Sequence, residues 1–224
     1  MLSSLETNHL TTKVAALVRD VCRTEMLPRF RNLQRHEVHS KASDSDPTDV
    51  VTVVDHRVED LLSDVLRRLL PESGILGEED CGLAQVDFDK VSAHQHVWII
   101  DPLDGTRNFV EGLDTFGTMV ALLQDEATVL TVIYLPTSDA MYTATRGGGA
   151  FLNRAPLKRQ SPPTARPPAG MLHTKFLPDA GYANTLQARA ASLNLGPIGG
   201  SAALAYSRLA HARYGFSFYA RLLP

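Results

Sequence analysis

Two stretches in the first seventy residues repeat apolar side chains at helical spacing. Residues 11–27 carry the first stretch, which Pro28 ends, and residues 55–70 carry the second, which Pro71 ends. The apolar positions of the second stretch and its approach share one face: Val54, Val58, Leu61, Leu62, Val65 and Leu69. Because residues three and four apart lie on one side of an α-helix, both stretches predict amphipathic helices that bury one face.

The hydrophobic period changes after residue 70. Short apolar runs, separated by polar or glycine-containing turns, follow at residues 75–76, 97–100, 118–123, 129–135 and 140–145. A glycine-bearing turn within residues 146–153 leads into one more run. Runs of this length bounded by turn residues are typical of β-strands, so this part of the chain predicts a sheet.

A proline-rich segment at residues 161–170 follows the predicted sheet. Its four prolines fit neither a helix interior nor a central strand, so we place a domain boundary there. The chain then divides into an α+β half at residues 1–161 and a shorter α/β half at residues 162–224.

The shorter half carries two further helical patterns. Residues 182–193 and 201–214 predict helices, and a glycine turn at residues 196–200 lies between them. In the second helix we expect Leu204 and Leu209 to face inward.

Composition and charge narrow the class of protein. The chain has 224 residues, 44% of them hydrophobic, which suffices for a core without disulfide or metal staples. Its net charge of -3 argues against a general nucleic-acid or membrane-surface binder, which relies on clustered Lys and Arg. Cys22 and Cys81 lack the spacing of a disulfide framework or a zinc site. No apolar run has the length of a membrane span or a leader, so we expect a cytoplasmic protein.

Carboxylates gather at the ends of two predicted strands. Asp101 and Asp104 follow one apolar run, three residues apart across Pro102, and Glu78 and Glu79 follow another. The carboxyl ends of strands are where α/β proteins assemble their sites. Such a cluster repels itself unless cations neutralise it, and hard oxygen ligands suit Mg²⁺. The pattern favours a magnesium site in which a proline-fixed turn places the two aspartates.

Gly105 and Thr106 come directly after the second aspartate. Backbone N–H groups at a turn that enters a helix bind anions such as phosphate, and the Thr106 hydroxyl can orient a water. Metal-binding carboxylates beside such a turn predict metal-assisted hydrolysis of a phosphate ester.

The same residues allow other interpretations. An isolated Asp-Pro or Asp-Gly pair most often makes a turn, and the sequence GEED is more often an exposed acidic loop than a ligand set. The spacing does not match a calcium-binding loop. It also fails the D-x-D-G-T pattern of haloacid-dehalogenase-type phosphatases, because Pro102 stands where the nucleophilic aspartate would be.

Several motifs together resemble the inositol monophosphatase family, the lithium-sensitive Mg²⁺-dependent phosphatases. They are DVVTVVD at 49–55, GEED at 77–80, WIIDPLDGTRNF at 98–109, MYTATRGGGAFLN at 141–153 and GGSAALAYSRLAHARYGFSFYA at 199–220. The resemblance covers residues 41–224. It implies a layered αβαβα sugar-phosphatase fold of class α/β, in which an α+β half holds most metal ligands and an α/β half covers the substrate.

The resemblance also implies a role for each residue at a matching position. The Mg²⁺ ligands, for two or three ions, would be Glu78, Asp101, Asp104 and the carbonyl oxygen of Leu103. The residues that contact phosphate or substrate hydroxyls would be Gly105, Thr106, Gly200 and Ser201. The groups that position, deprotonate and support the attacking water would be Asp55, Thr106 and Glu79. Lys41 would correspond to a lysine of a mobile loop, with a solvated surface lysine as the alternative, and no covalent intermediate is implied.

Two departures from the family pattern bear on activity and substrate. The family carries a further metal-binding aspartate in a W-D-x-A-x-G motif that would follow Pro224, so we expect the C-terminal elements and part of the second metal site to be missing. Tyr219 stands about where some inositol-specific members carry an acid that contacts the sugar.

The resemblance therefore implies an Mg²⁺-dependent phosphomonoesterase that acts on a small polyol or sugar phosphate, inositol monophosphate first. Fructose bisphosphate, histidinol phosphate and 3′-phosphoadenosine phosphate are the alternative substrates. The competing class is a non-catalytic member that binds metal and phosphate without turnover. We expect a homodimer with small-molecule ligands and no nucleic-acid or membrane partner.

Overall fold

The computed structural model describes residues 2–41, 49–81, 94–158, 169–173, 180–196 and 199–219. Its α-helices are α1 (Ser4–Val21), α2 (Val53–Leu69), α3 (Glu78–Cys81), α4 (Thr106–Val110), α5 (Ala180–Arg189) and α6 (Ala202–Ala210). The first six strands are β1 (Val38–Ser40), β2 (Val50–Thr52), β3 (Gly74–Gly77), β4 (His96–Asp104), β5 (Gly117–Gln124) and β6 (Ala127–Leu135). The others are β7 (Ala140–Thr145), β8 (Gly149–Leu152), β9 (Ala155–Pro156), β10 (Ala169–His173), β11 (Asn194–Leu195) and β12 (Phe216–Tyr219).

Helix α1 begins seven residues before the predicted start. Ser3 caps it, because its hydroxyl oxygen accepts a hydrogen bond from the Glu6 amide while the Glu6 carboxylate accepts one from the Ser3 amide. Thr7 and Thr11 lie on its buried face. Because threonine is polar, the apolar pattern does not include this first part of the helix. The helix continues beyond Val21 as a single π-helical turn, Cys22–Met26.

Helix α2 lies where the spacing predicts it. Thr52 caps its first turn by accepting a hydrogen bond from the Val54 amide, and Asp55 accepts one from the Thr52 amide. Its apolar face is fully buried at Val58 and Leu62. The cap therefore fixes a carboxylate at the start of a helix that is anchored in the core.

The main sheet has seven strands in the order β3-β4-β5-β6-β7-β8-β9. Strands β3 and β4 are parallel and every later pair is antiparallel. Trp98 in β4 is fully buried, as are Leu122 and Val132 in the neighbouring strands. The predicted strands are thus confirmed, and the arrangement is the expected mixed α/β fold.

Helices cover both faces of this sheet. The face that carries Thr118 meets Cys22 at the end of α1. The opposite face carries Gly117, where a Cβ would lie 2.9 Å from the Cβ of Ala203 in α6. Because successive residues of a strand point to opposite faces, α1 and α6 lie on different sides of β5.

Strand β4 contains one extra residue between its two aspartates. Asp101 pairs with Met119 and Asp104 pairs with Gly117, so three steps along β4 oppose two along β5. Two residues three apart in a regular strand face opposite sides. The extra residue cancels that alternation and turns both carboxylates to one face. The predicted proline-fixed turn is therefore wrong, because the strand continues through Asp104 as a bulge.

The later residues form a smaller sheet of three parallel strands in the order β11-β10-β12, and β1 and β2 form a separate antiparallel pair. Most of the proline-rich segment lies outside the described residues, and its last two positions, Ala169 and Gly170, already belong to β10. The division at residue 161 stays a prediction. No described helix combines the length and apolar character that a bilayer crossing requires.

Helix α6 is shorter than predicted and buries different residues. It ends at Ala210, and its buried positions are Ala203, Ala205 and Ser207. Leu204 and Leu209, which we expected to face inward, are only half-buried. Small side chains face the sheet because Gly117 lets the helix approach closely.

We expect Gly117→Ala to lower the free energy of unfolding by about 1–3 kcal/mol, the usual cost of overpacking. The new methyl group would lie 2.8 Å from the Tyr134 carbonyl oxygen and 2.9 Å from the Cβ of Ala203. Urea unfolding, followed by the fluorescence of the single buried Trp98, measures the change. An unaltered midpoint would contradict the close seating of α6 on the sheet.

Candidate active site

The end of strand β3 lies beside the bulge of β4 and brings the first two acids together. Gly77 pairs with Ile100, so Glu78, which follows β3, is the neighbour of Asp101 in β4. Their carboxyl groups lie within hydrogen-bonding reach of each other. We call the carboxyl groups of Asp55, Glu78, Glu79, Asp101 and Asp104 the acid cluster.

Asp101 is the least satisfied member of the acid cluster. Its Oδ1 is buried and accepts no hydrogen bond from the residues that the structure describes. Burial raises the pKa of Asp101 well above its usual range, and the charges of Glu78 and Asp104 add to the shift. Burial also raises the pKa of Glu78, against the hydrogen bond with Asp101 and the charge of Lys41. The pair therefore resists carrying two negative charges unless a cation joins it.

Lys41 supplies a positive charge beside the two glutamates of the acid cluster. Its Nζ donates to Glu79 Oε2 at 2.8 Å and lies 4.0 Å from Glu78 Oε1. Although burial opposes it, these acids together raise the pKa of Lys41. The structure thus brings Lys41 to the site.

Glu59 in α2 holds the backbone at Glu79 in place. Its Oε2 accepts a hydrogen bond of 3.0 Å from the Glu79 amide at the start of α3. A Cβ at Gly77 would overlap the Glu59 carboxylate, so the glycine makes room for this contact. Glu59 was not among the site residues predicted from the sequence. Its signal is an acid beside the apolar stripe of α2, next to Val58.

Asp55 and Thr106 meet across the site. The Asp55 Oδ2 accepts hydrogen bonds from the Thr52 amide at 2.8 Å and the Thr52 hydroxyl at 2.6 Å. The Thr106 hydroxyl lies 3.0 Å from Asp55 Oδ1 and 2.9 Å from the Leu103 carbonyl oxygen. Burial raises the pKa of Asp55 to about 7, helped by the charge of Glu79 and opposed by these hydrogen bonds. A carboxyl group with this pKa exchanges protons near neutral pH.

Asp104 faces the N-terminus of α6. The Ser201 hydroxyl donates to its Oδ2, and the Ala202 and Ala203 amides donate to Oδ1 and Oδ2 at 2.9 Å each. Burial still raises the pKa of Asp104. A carboxylate offers about four acceptor positions, so three are used and one remains on Oδ1. Asp104 thus joins the bulge of β4 to residues almost a hundred positions later.

A second link joins the same two segments. The Asn108 side chain donates to the Thr115 and Gly199 carbonyl oxygens at 2.7 Å each. Gly200 lies against the Asn108 amide group, and Gly105, at a φ of 86°, faces the Gly200 carbonyl oxygen. The structure therefore brings Gly105, Thr106, Gly200 and Ser201 together. Asn108 was not among the site residues predicted from the sequence, although its position two residues after Thr106 is a signal for a role beside the site.

Tyr219 lies near the edge of the acid cluster. Its ring stacks on His173 at 3.9 Å between centroids, with the planes 9° apart. Burial raises the pKa of Tyr219, and neighbouring Tyr206 and the charge of Asp104 add to the shift. The tyrosine is therefore close enough to Asp104 to sense its charge.

The donor chemistry of the site fits Mg²⁺, although its ligands are not fully preassembled. The buried, unbonded Asp101 Oδ1 and the raised pKa of Glu78 point to a cation that neutralises them. Within the described residues, no three Asp, Glu, His or Cys side chains are arranged to hold one metal ion. Asp104 contributes to this, because most of its acceptor positions serve α6.

Comparison with known proteins identifies the family of the chain. The profile described as "Inositol monophosphatase family" matches residues 8–213. The chain belongs to the inositol monophosphatase family. The resemblance inferred from the sequence motifs is therefore confirmed, and the match extends further towards the N-terminus than the motifs do.

Relatives within the inositol monophosphatase family carry different names. An inositol-1-monophosphatase of Rhizobium meliloti is 41% identical over 124 residues, which is 55% of this chain and 43% of that protein. A histidinol-phosphatase of Chlorobaculum parvum is 37% identical over 123 residues, 54% of this chain and 43% of that protein. The matched segments span less than half the length of these relatives. Both names are those of phosphatases.

A solved structure from the family has the same fold. The IMPase of Thermotoga maritima superposes with a TM-score of 0.76 at 24% identity, covering 96% of this chain and 77% of that one. The mixed α/β architecture is therefore that of the family.

We expect Asp101→Asn to stabilise the metal-free chain at about pH 8 by about 1 kcal/mol, because it removes a buried and repelled charge. The pKa of Asp101 is higher in the folded than in the unfolded state, so the wild type loses stability as pH rises between the two values. The gain from the substitution should accordingly shrink towards pH 5. Urea unfolding at both pH values measures it.

Asp104→Asn is the matched control, with the opposite sign expected. The substitution turns one of the two accepting oxygens into an amide nitrogen, so one or two of the hydrogen bonds from Ser201, Ala202 and Ala203 are lost and stability should fall by about 1–2 kcal/mol. Equal effects of the two substitutions would contradict the assignment of Asp101 as the unsatisfied group.

Proposed function

We propose that the chain is an Mg²⁺-dependent phosphomonoesterase that hydrolyses a small polyol or sugar phosphate by direct attack of water. The observation that carries the proposal is the buried, unbonded Asp101 Oδ1 beside Glu78, together with the Thr106–Asp55 pair, whose Asp55 charge adds to the raised pKa of Asp101. A cation-seeking pair of acids beside a proton-accepting pair is the combination that metal-assisted ester hydrolysis requires.

Four groups in this proposal hold Mg²⁺. They are the carboxylates of Glu78 and Asp101, the carbonyl oxygen of Leu103 and the remaining acceptor position on Asp104 Oδ1. When bound, the metal lowers the pKa of a water and neutralises charge on the phosphoryl group. Two or three ions per site stay a prediction from the family resemblance.

Asp55 and Thr106 handle the proton of the attacking water. With Asp55 ionised, the Thr106 hydroxyl donates to its Oδ1, which leaves the lone pairs of Thr106 Oγ1 available to the water. A proton that leaves the water can pass to Thr106 while the Thr106 proton passes to Asp55. A pKa of about 7 suits Asp55 to this role at neutral pH. Glu79, held by Lys41, keeps the surroundings of Asp55 negative and supports its basicity.

The glycine turns form the substrate side of the site. Gly105 and Thr106 face the phosphate in this proposal, and Gly200 lies opposite, held by Asn108. The Ser201 hydroxyl already donates to Asp104 and accepts from the Leu204 amide, so Ser201 acts by fixing α6 rather than by donating to substrate.

Inositol monophosphate is the first substrate to test. The named relatives also make histidinol phosphate a candidate, and the aromatic Tyr219 at the edge of the cluster suits a substrate with a planar ring. Fructose bisphosphate and 3′-phosphoadenosine phosphate follow. Homodimerisation and a cytoplasmic location stay predictions from the sequence.

The test is phosphate release from inositol 1-phosphate and histidinol phosphate by this chain, with and without Mg²⁺ and with added Li⁺. We expect Mg²⁺-dependent, Li⁺-inhibited release whose kcat/KM rises with pH through about 7 as Asp55 loses its proton. Mg²⁺-induced stabilisation without phosphate release from any family substrate would favour the competing class, a binding protein without turnover.

Thr106→Val should lower kcat by about 100-fold with little change in KM, because the hydroxyl handles a proton rather than holding substrate. Thr137→Val is the matched control, since the exposed Thr137 hydroxyl bonds the Asp114 carbonyl oxygen away from the cluster. Steady-state kinetics of both variants separate the two parameters. An effect of Thr106→Val on KM alone would remove Thr106 from the proton path.

A further inference from the structure

A short chain of buried hydrogen bonds runs from α1 to the bulge of β4. The Thr118 hydroxyl donates to the Pro102 carbonyl oxygen at 2.8 Å, and the Cys22 sulfur lies 3.2 Å from the same hydroxyl. Both Cys22 and Thr118 are fully buried. A hydroxyl has one hydrogen, which Thr118 gives to Pro102, so the Cys22 thiol must be the donor to Thr118.

The position of Thr118 in the sheet explains why Pro102 needs this partner. Asp101 pairs with Met119 and Asp104 with Gly117, so Thr118 stands opposite the bulged residues. A bulge interrupts the ladder of backbone hydrogen bonds and leaves groups unpaired. The Thr118 side chain supplies a donor to the Pro102 carbonyl where the ladder is broken.

The geometry points to Thr118 as a positioning residue for the acid cluster. By bonding the Pro102 carbonyl, it fixes the bulge that turns Asp101 and Asp104 to one face, and with them the Leu103 carbonyl. The inference rests on the proposed function, in which these three groups bind Mg²⁺. Groups that hold metal ligands in orientation commonly change affinity by 10- to 100-fold when removed.

Cys22 is the second member of this chain. Cys22 is the first residue of the π-helical turn that follows α1, and burial raises its pKa to about 12. The thiol therefore keeps its proton and remains a donor at neutral pH, which leaves the Thr118 hydrogen free for Pro102.

The experiment compares Thr118→Val with Thr11→Val. Both replacements are isosteric and remove a buried hydroxyl that bonds a backbone carbonyl, since Thr11 donates to the Thr7 carbonyl oxygen at 2.7 Å. Thr11 bonds within its own helix and is not a member of the Cys22–Thr118–Pro102 chain. Mg²⁺ titrations are followed by the melting temperature and, independently, by phosphate release with kcat and KM resolved.

We expect Thr118→Val to raise the Mg²⁺ concentration for half-maximal stabilisation and half-maximal activity by about 10-fold, with KM for the ester little changed. Thr118→Ser, which keeps the hydroxyl, should restore the wild-type Mg²⁺ midpoint. Thr11→Val should lower the melting temperature but leave that midpoint unchanged. Should Thr118→Val not fold, Thr118→Ala takes its place against the same Ser reference.

Two results overturn the inference. One is an unchanged Mg²⁺ midpoint in Thr118→Val, which would show that the Thr118 hydroxyl, like that of Thr11, contributes to stability but not to Mg²⁺ binding. The other is a wild type that does not respond to Mg²⁺, which would overturn the proposed function as well. A wild type that Mg²⁺ stabilises but that releases no phosphate overturns the catalytic proposal alone, because the melting titrations still decide on Thr118.

Discussion

The extra residue between Asp101 and Asp104 is the constraint on which the site depends. In a regular strand the two carboxylates would face opposite sides of the sheet, one of them towards the apolar core beneath α1 and α2. The bulge places both on the face that α6 covers, and residues of the partner strand β5 pair with β4 on either side of it. Gly117 leaves room for α6, and the Thr118 hydroxyl donates to the Pro102 carbonyl oxygen within the bulge.

Five carboxyl groups in one small volume would ordinarily destabilise a fold, and the chain satisfies three of them separately. Asp104 is used as a helix cap, Glu79 is paired with Lys41, and Asp55 accepts from Thr52 and Thr106. The unfavourable charge that is left concentrates on Glu78 and Asp101, and Asp101 Oδ1 has no described partner. The arrangement confines the unfavourable charge to the place where a cation can relieve it, which is a common compromise between stability and function.

The sequence predicted the helices, strands and acid cluster more completely than it predicted how they fit together. Helix α2 and the strands follow from apolar spacing, because burial imposes that period directly. The bulge escaped prediction because Asp-Pro resembles a turn, and only the register against β5 reveals the extra residue. Asn108 and Glu59 escaped for the same kind of reason, since their partners belong to elements distant in sequence. The division into halves and the residue roles stay predictions.

The cap that Asp104 provides has a consequence for the newly made chain. Its three donors follow 97 to 99 residues later, so during synthesis the aspartate emerges well before the segment that will satisfy it. Chains grow at about 5–20 residues per second, which leaves this carboxylate waiting for several seconds. In that interval the first sheet can assemble while Asp104 is still hydrated. The site is therefore complete only when α6 has been synthesised. A nascent chain interrupted before Ser201 would carry the acid cluster without the donors that bond Asp104.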